Sequence, residues 1–127
     1  MYNNIFLHGE NMKSILINRD DYNLFLNNVK TCTSRLGSRL EEFVVDGLYF
    51  FQVNDGSYDH AIIKVTNAYV KQLKSLTKEE AKAIGNYSPL LGIKDVIDTY
   101  TKLGREVNED SMITVVWFEK TFGLQRD

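Results

Sequence analysis

Past a first stretch without period, apolar residues along the chain alternate between strand spacing and helical spacing. Ile15 and Ile17 take one side of a short extended run and Ser14 and Leu16 the other, which predicts a strand. Asp20 and Asp21 suit the positive end of a helix, and Tyr22, Phe25, Leu26 and Val29 then fall on one helical face. A helix from Asp20 to Val29 is predicted. Thr31, Cys32, Thr33 and Ser34 are β-branched or small, so the helix should lead directly into a second strand from Lys30 to about Arg35. Gly47 precedes the strand-like run Leu48 to Val53, and Asn54-Asp55-Gly56 supplies tight hairpin-turn residues before a returning strand from His60 to Tyr69. In that strand Ala61, Ile63 and Val65 share one face. Ile62, Lys64 and Thr66 share the other, so Lys64 should point away from the hydrocarbon, into solvent or a cleft.

Thr77 and Glu80 have capping-box spacing, and Gly85 is placed as the residue just past a helix from Lys78 to Ile84. Ser88-Pro89 can open another helix, in which Ile93, Val96, Ile97 and Tyr100 recur at helical spacing until Gly104. Met112 to Phe118 is apolar on both faces, the pattern of a central strand covered on each side. The order strand, helix, several strands, two helices, strand predicts an α+β fold around a curved sheet or small barrel.

The chain has 127 residues, of which 43% are apolar, enough for one domain with one ordinary core. Residues 1–11 read as a lead-in, 12–120 as the domain and 121–127 as a tail. A formal charge of -2 excludes the broadly basic surface that holds duplex nucleic acid, so any nucleic-acid site must be a local pocket. Cys32 is the only cysteine, which excludes an internal disulfide and points to a reducing compartment. His8 and His60 lack metal-ligand spacing, so no metal site is expected. No stretch approaches the roughly 20 apolar residues of a membrane span, and the expectation is a cytoplasmic protein. No phosphate-cradling glycine loop, nucleotide-cofactor fingerprint or serine-histidine arrangement occurs, so no cofactor is expected. The oligomeric state is not written in the pattern.

Val29-Lys30-Thr31-Cys32-Thr33-Ser34-Arg35-Leu36-Gly37 carries chemistry. It resembles the signature of the ASCH domain, a relative of the PUA RNA-binding fold, in which a helix runs into Gly-x-Lys-x-x-x-x-Arg with Thr after the Lys and again three residues after it. Lys30, Thr31, Thr33 and Arg35 match; Asn28 stands at the glycine position, and Asn also tolerates a left-handed backbone. Asp46-Gly47, the stretch Ser75 to Ala81 with Gly85, and Ile113 to Glu119 resemble later landmarks of the domain, so the resemblance spans roughly residues 12–120. It implies a PUA-like barrel of five or six strands with flanking helices beside a cleft, and RNA or nucleoside-like ligands. Some members are amidohydrolases that remove the acetyl group of 4-acetylcytidine with Lys, Thr and Glu, and another branch is described as cleaving single-stranded RNA.

The resemblance implies ligand binding by Lys30, Thr33 and Arg35, with Lys30 and Thr33 catalytic if the protein is an enzyme; Lys64 joins them in a basic cleft if its face of the strand is turned toward Lys30 and Arg35. Two roles are open to Lys30: a cation at the C-terminus of the preceding helix, or a base of lowered pKa. Thr33 and Arg35 are expected on one strand face, and the charges of Lys30 and Arg35 to be partly exposed. Ile63-Lys64-Val65 resembles the strand in which the amidohydrolases carry their glutamate, and an ammonium cannot shuttle that proton. Binding of RNA or a nucleoside-like ligand is therefore the leading expectation. A hydrolase on the same scaffold is the alternative, and a protein-interaction domain the third. Tyr49, Phe50, Phe51, Tyr69 and Tyr87 are candidate stacking rings, while Trp117 reads as core.

Overall fold

The computed structural model describes residues 12–85 and 88–121. Within them five strands form one mixed sheet: β1 (Ser14–Ile17), β2 (Cys32–Leu36), β3 (Leu48–Val53), β4 (His60–Gln72) and β5 (Met112–Lys120), in the order β1-β3-β4-β5-β2. β1 runs parallel to β3, and the other neighbours are antiparallel. Helices α1 (Arg19–Leu26), α2 (Lys78–Gly85) and α3 (Pro89–Lys102) complete the α+β fold. The sheet is not closed into a barrel. β1 pairs with β3 and β2 with β5, so these two strands are its edges, and no backbone ladder joins them.

α1 starts one residue earlier than expected because Asn18 caps it, its side chain accepting from the Asp21 N–H at 2.7 Å. The helix also ends earlier, at Leu26. Asn28 has φ +63°, and this left-handed residue turns the chain out of the helix, leaving Val29 exposed and Lys30 ahead of β2. Only Tyr22 and Phe25 of the expected apolar face are buried.

The Asn54-Asp55-Gly56 triplet lies in a longer connection than the tight turn expected, because β3 ends at Val53 and β4 begins at His60. Arg19 holds this loop, pairing with Asp55 at 2.8 Å and Asp59 at 2.9 Å. The capping box is present: Thr77 Oγ1 accepts from the Glu80 N–H at 3.1 Å, and Glu80 Oε1 accepts from the Thr77 N–H at 2.8 Å. Gly85 belongs to the last turn of α2 rather than following it. Ser88 caps α3. The lead-in 1–11 with His8, Tyr87, and residues 122–127 of the tail lie outside the described residues.

Two apolar clusters lie on opposite faces of β5. Val116 and Phe118 join a core with Phe25, Phe51, Ile63 and Val65, while Ile113, Val115 and Trp117 join one with Leu73, Leu76, Ala81 and α3. That is the two-sided burial its sequence predicts. β4 serves both clusters through a bulge between Val65 and Asn67. Up to Val65 the odd residues face the first cluster; past the bulge Ala68 does, and Tyr69 turns to the second. Gly47 is needed at the entry to β3 because a Cβ there would stand 2.9 Å from the Val44 carbonyl oxygen.

Candidate functional site

β2 delivers Thr33 and Arg35 to one face, as the two-residue period requires, and Arg35 Nη1 donates to Thr33 Oγ1 at 2.9 Å. The same nitrogen donates to the Ser34 carbonyl at 2.9 Å, and Nη2 to the Leu16 carbonyl at 3.0 Å. Arg35 thus ties edge strand β2 to edge strand β1 where the backbone ladder is missing. Burial lowers its pKa from the usual value.

Lys30 is 2% exposed rather than partly exposed. Its Nζ donates to the Cys32 carbonyl at 2.9 Å and the Ile84 carbonyl at 2.6 Å. Next to it the Thr31 N–H donates to the Ala83 carbonyl at 2.9 Å, so the Lys30 ammonium sits at the C-terminal carbonyls of α2, while its backbone N–H donates to the Leu24 carbonyl of α1 at 3.1 Å. Burial outweighs the attraction of Asp21 and lowers the Lys30 pKa to about 8.

Lys30, Thr33, Ser34 and Arg35 wall a cavity of about 110 Å³ closed by α1, α2 and α3. Asp21 enters from α1, and Asp95, Thr99 and Tyr100 from α3; Leu73, Leu76, Ile84, Val96 and Ile113 form its apolar walls. Burial raises the Asp21 pKa, against the pull of Lys30. Lys30 makes no hydrogen bond to Thr33 or Asp21. The cavity is therefore of mixed charge, with cations from Lys30 and Arg35 and carboxylates from Asp21 and Asp95.

Lys64 is not brought to it. It lies on the face of β4 opposite Ile63 and Val65, half-exposed, with Asp46 at 3.7 Å. Tyr49 and Phe51 are buried in the first core. Tyr69 donates to Glu80 Oε2 at 2.5 Å and accepts from Trp117 Nε1 at 2.9 Å, and Lys71 Nζ donates to Glu80 Oε1 at 2.8 Å. Burial opposes ionisation of Glu80, but these partners and the Thr77 N–H outweigh it and lower its pKa. This network fastens α2 to the sheet and commits the Tyr69 hydroxyl proton to Glu80.

Sequence reading missed Asp21, Asp95 and Tyr100 as cavity residues. Asp21 was accounted for as a helix-start charge. The spacing Gly92-Asp95-Val96-Thr99-Tyr100 is a helical face carrying polar groups, a local signal that could have drawn attention to α3.

No family model matches the sequence, and no curated protein matches it. The fold does have solved counterparts. An ASCH domain from Lactobacillus crispatus JV V101 superposes with a TM-score of 0.68 at 21% identity, over 86% of this chain and 79% of that one. The fold is that of an ASCH domain. Protein EF3133 from Enterococcus faecalis V583, described as DUF984, superposes with a TM-score of 0.62 at 14% identity, over 95% of this chain and 90% of its own. The hypothetical protein PH0355 matches with a TM-score of 0.61 at 16% identity, over 87% of this chain and 99% of its own. In the ASCH fold described here, no helix among the described residues is long and apolar enough to cross a membrane.

Proposed function

We propose that the protein is an ASCH-family member that binds a nucleobase of RNA or of a nucleoside-like ligand in the cavity between β2 and α3, with Lys30, Thr33 and Arg35 as its polar wall. The observation that carries this reading is the pairing of apolar walls with both donors and acceptors in one small enclosure. An anion site would exclude the carboxylates of Asp21 and Asp95, whereas a neutral heterocycle with apolar faces and a donor-acceptor edge suits both halves. The volume sets a ceiling: an apolar cavity of about 150 Å³ admits benzene, so this space of about 110 Å³ takes at most one small ring and no stack of bases. An RNA strand would lie across the mouth and insert a single base.

Calorimetric titration with adenosine, cytidine, guanosine and uridine tests this reading. At least one should bind, and Thr33→Val, which keeps the β-branched shape, should weaken it roughly tenfold by removing one hydrogen-bonding group. Binding unchanged by Thr33→Val would put the ligand elsewhere, and heat only from inorganic phosphate would make the cavity an anion site.

A hydrolase on the same scaffold is the second reading, supported by the opposed shifts of Lys30 and Asp21 on one cavity, since such pairs mark acid-base sites. A neutral Lys30 amine is an acceptor for the proton of an attacking hydroxyl. The absence of a Lys30-to-Thr33 hydrogen bond ranks this reading below binding. Incubation with 4-acetylcytidine followed by chromatography should show no cytidine; turnover abolished by Lys30→Met would reverse the ranking.

A further inference from the structure

A second space of about 240 Å³ opens on the other side of Arg35, in the gap between the two edge strands. Lys13, Ser14 and Leu16 border it from β1 and its lead, Arg35 and Arg39 from β2 and the loop beyond, with Glu42 and Tyr49 completing the wall. Arg35 lines both this gap and the cavity, so the two spaces adjoin at one guanidinium.

The charges in the gap are unequally answered. Arg39 is held by Glu42 through Nε at 2.9 Å and Nη2 at 2.7 Å, a closed pair that contributes no net charge. Arg35 gives its hydrogen bonds to neutral oxygens, those of Thr33, Ser34 and Leu16. Lys13 is exposed and makes no side-chain hydrogen bond or salt bridge with the described residues, its charge acting on Glu42 only at longer range. Two cations therefore border the gap with no carboxylate bonded to either, in a protein whose net charge is -2.

We infer that this gap is a phosphate subsite, with Lys13 and the outer side of Arg35 taking the phosphate of a nucleotide whose base occupies the cavity; the inference rests on the nucleobase reading above. Each part of a nucleoside phosphate then meets its complement. The neutral ring enters the mixed-charge enclosure, and the anion meets a gap lined by Lys13, Arg35 and Arg39 against the single carboxylate of Glu42, which is bonded to Arg39. The ligand class becomes a phosphorylated nucleoside, either a free mononucleotide or one residue of an RNA strand.

Titration at low salt with adenosine, cytidine, guanosine and uridine, their 3′- and 5′-monophosphates, inorganic phosphate and a short mixed-sequence RNA tests it. For the base that binds, a monophosphate should bind about tenfold more tightly than its nucleoside, one charge-assisted contact's worth. Lys13→Gln should abolish that gain, leave the nucleoside affinity unchanged, and reduce the salt slope of the nucleotide by about 1. An RNA that binds more tightly than any monophosphate identifies the strand as the source, and equal affinities identify the mononucleotide. A nucleoside that binds without any gain from its phosphate, or a gain that survives Lys13→Gln, overturns the subsite while the base cavity stands. Failure of every nucleoside and nucleotide to bind overturns both.

Discussion

Two single residues set the conditions under which this cavity exists. Asn28, at φ +63°, directs the chain from α1 into β2 and so decides where Lys30 lands. A left-handed conformation costs an ordinary L-residue about 1–2 kcal/mol, less for Asn, so Asn28→Ala should destabilise the fold by about 1 kcal/mol and Asn28→Gly should be close to neutral. Chemical-denaturation midpoints decide it, and equal losses in both would mean that the Asn side chain rather than the backbone is responsible. Lys30 acts through its protons. It titrates near 8 when folded and near 10.5 when unfolded, so between those values the unfolded chain binds more protons and stability rises with pH. The whole difference amounts to about 3 kcal/mol. Cys32 works the other way: burial pushes its thiol from 9.0 to about 12, so above pH 9 the unfolded chain loses a proton that the folded one keeps, and stability falls. Tyr69, pushed from 10.0 to about 12 by burial and by its bond to Glu80, deepens the fall above pH 10. Urea midpoints should therefore rise from pH 8 to about 9, level off, and decline above 10. In Lys30→Met the rise should vanish and the decline remain.

At the scale of elements, α3 is the thin wall of the cavity. Gly92 is its one fully buried residue, and Ile93, Val96 and Ile97 are only half-buried against the second cluster. Such an element opens locally at low free-energy cost. Hydrogen exchange should be faster in α3 than in β5, and Ser88→Ala, which removes the cap that accepts from Leu91, should cost about 1 kcal/mol and speed α3 exchange further. Protection of α3 equal to that of β5 would show it to be part of the cooperative core. The elements themselves were largely legible in the chain. The capping box at Thr77, the Ser88-Pro89 opening and the two-sided β5 pattern are local signals, each satisfied by residues within a few positions. The parts not legible were those decided by distant partners. Arg19 stretches the 54–59 loop away from a tight turn by pairing with Asp55 and Asp59. Asp21 and Asp95 face Lys30 and Arg35 only because α1 and α3 close over β2. Lys64 reads correctly as facing away from hydrocarbon, but the choice between solvent and cleft depended on where β4 lies in the sheet.

At the scale of the whole molecule, the bulge between Val65 and Asn67 shifts the numbering of the alternation in β4: odd residues up to Val65 face the first core, and past the bulge it is Ala68 that does so while Tyr69 faces the second. Thr66 is the residue left out of the pairing, since Val65 pairs with Phe118 and Asn67 with Trp117. It is exposed, and its replacement by Ala should be tolerated with a change within about 0.5 kcal/mol. Its deletion should be tolerated too. Removing it sets Val65 directly beside Asn67 in an uninterrupted ladder, in which Ala68 and Tyr69 keep their faces and Tyr69 keeps its bonds to Glu80 and Trp117. Both Thr66→Ala and the shortened chain should therefore melt cooperatively; loss of the cooperative melt on deletion alone would mean that the bend supplied by the bulge is itself required. The position is thus nearly free in its letter and in its presence, an extra residue set outside the alternation that bends the strand without deciding which side chains enter either interior.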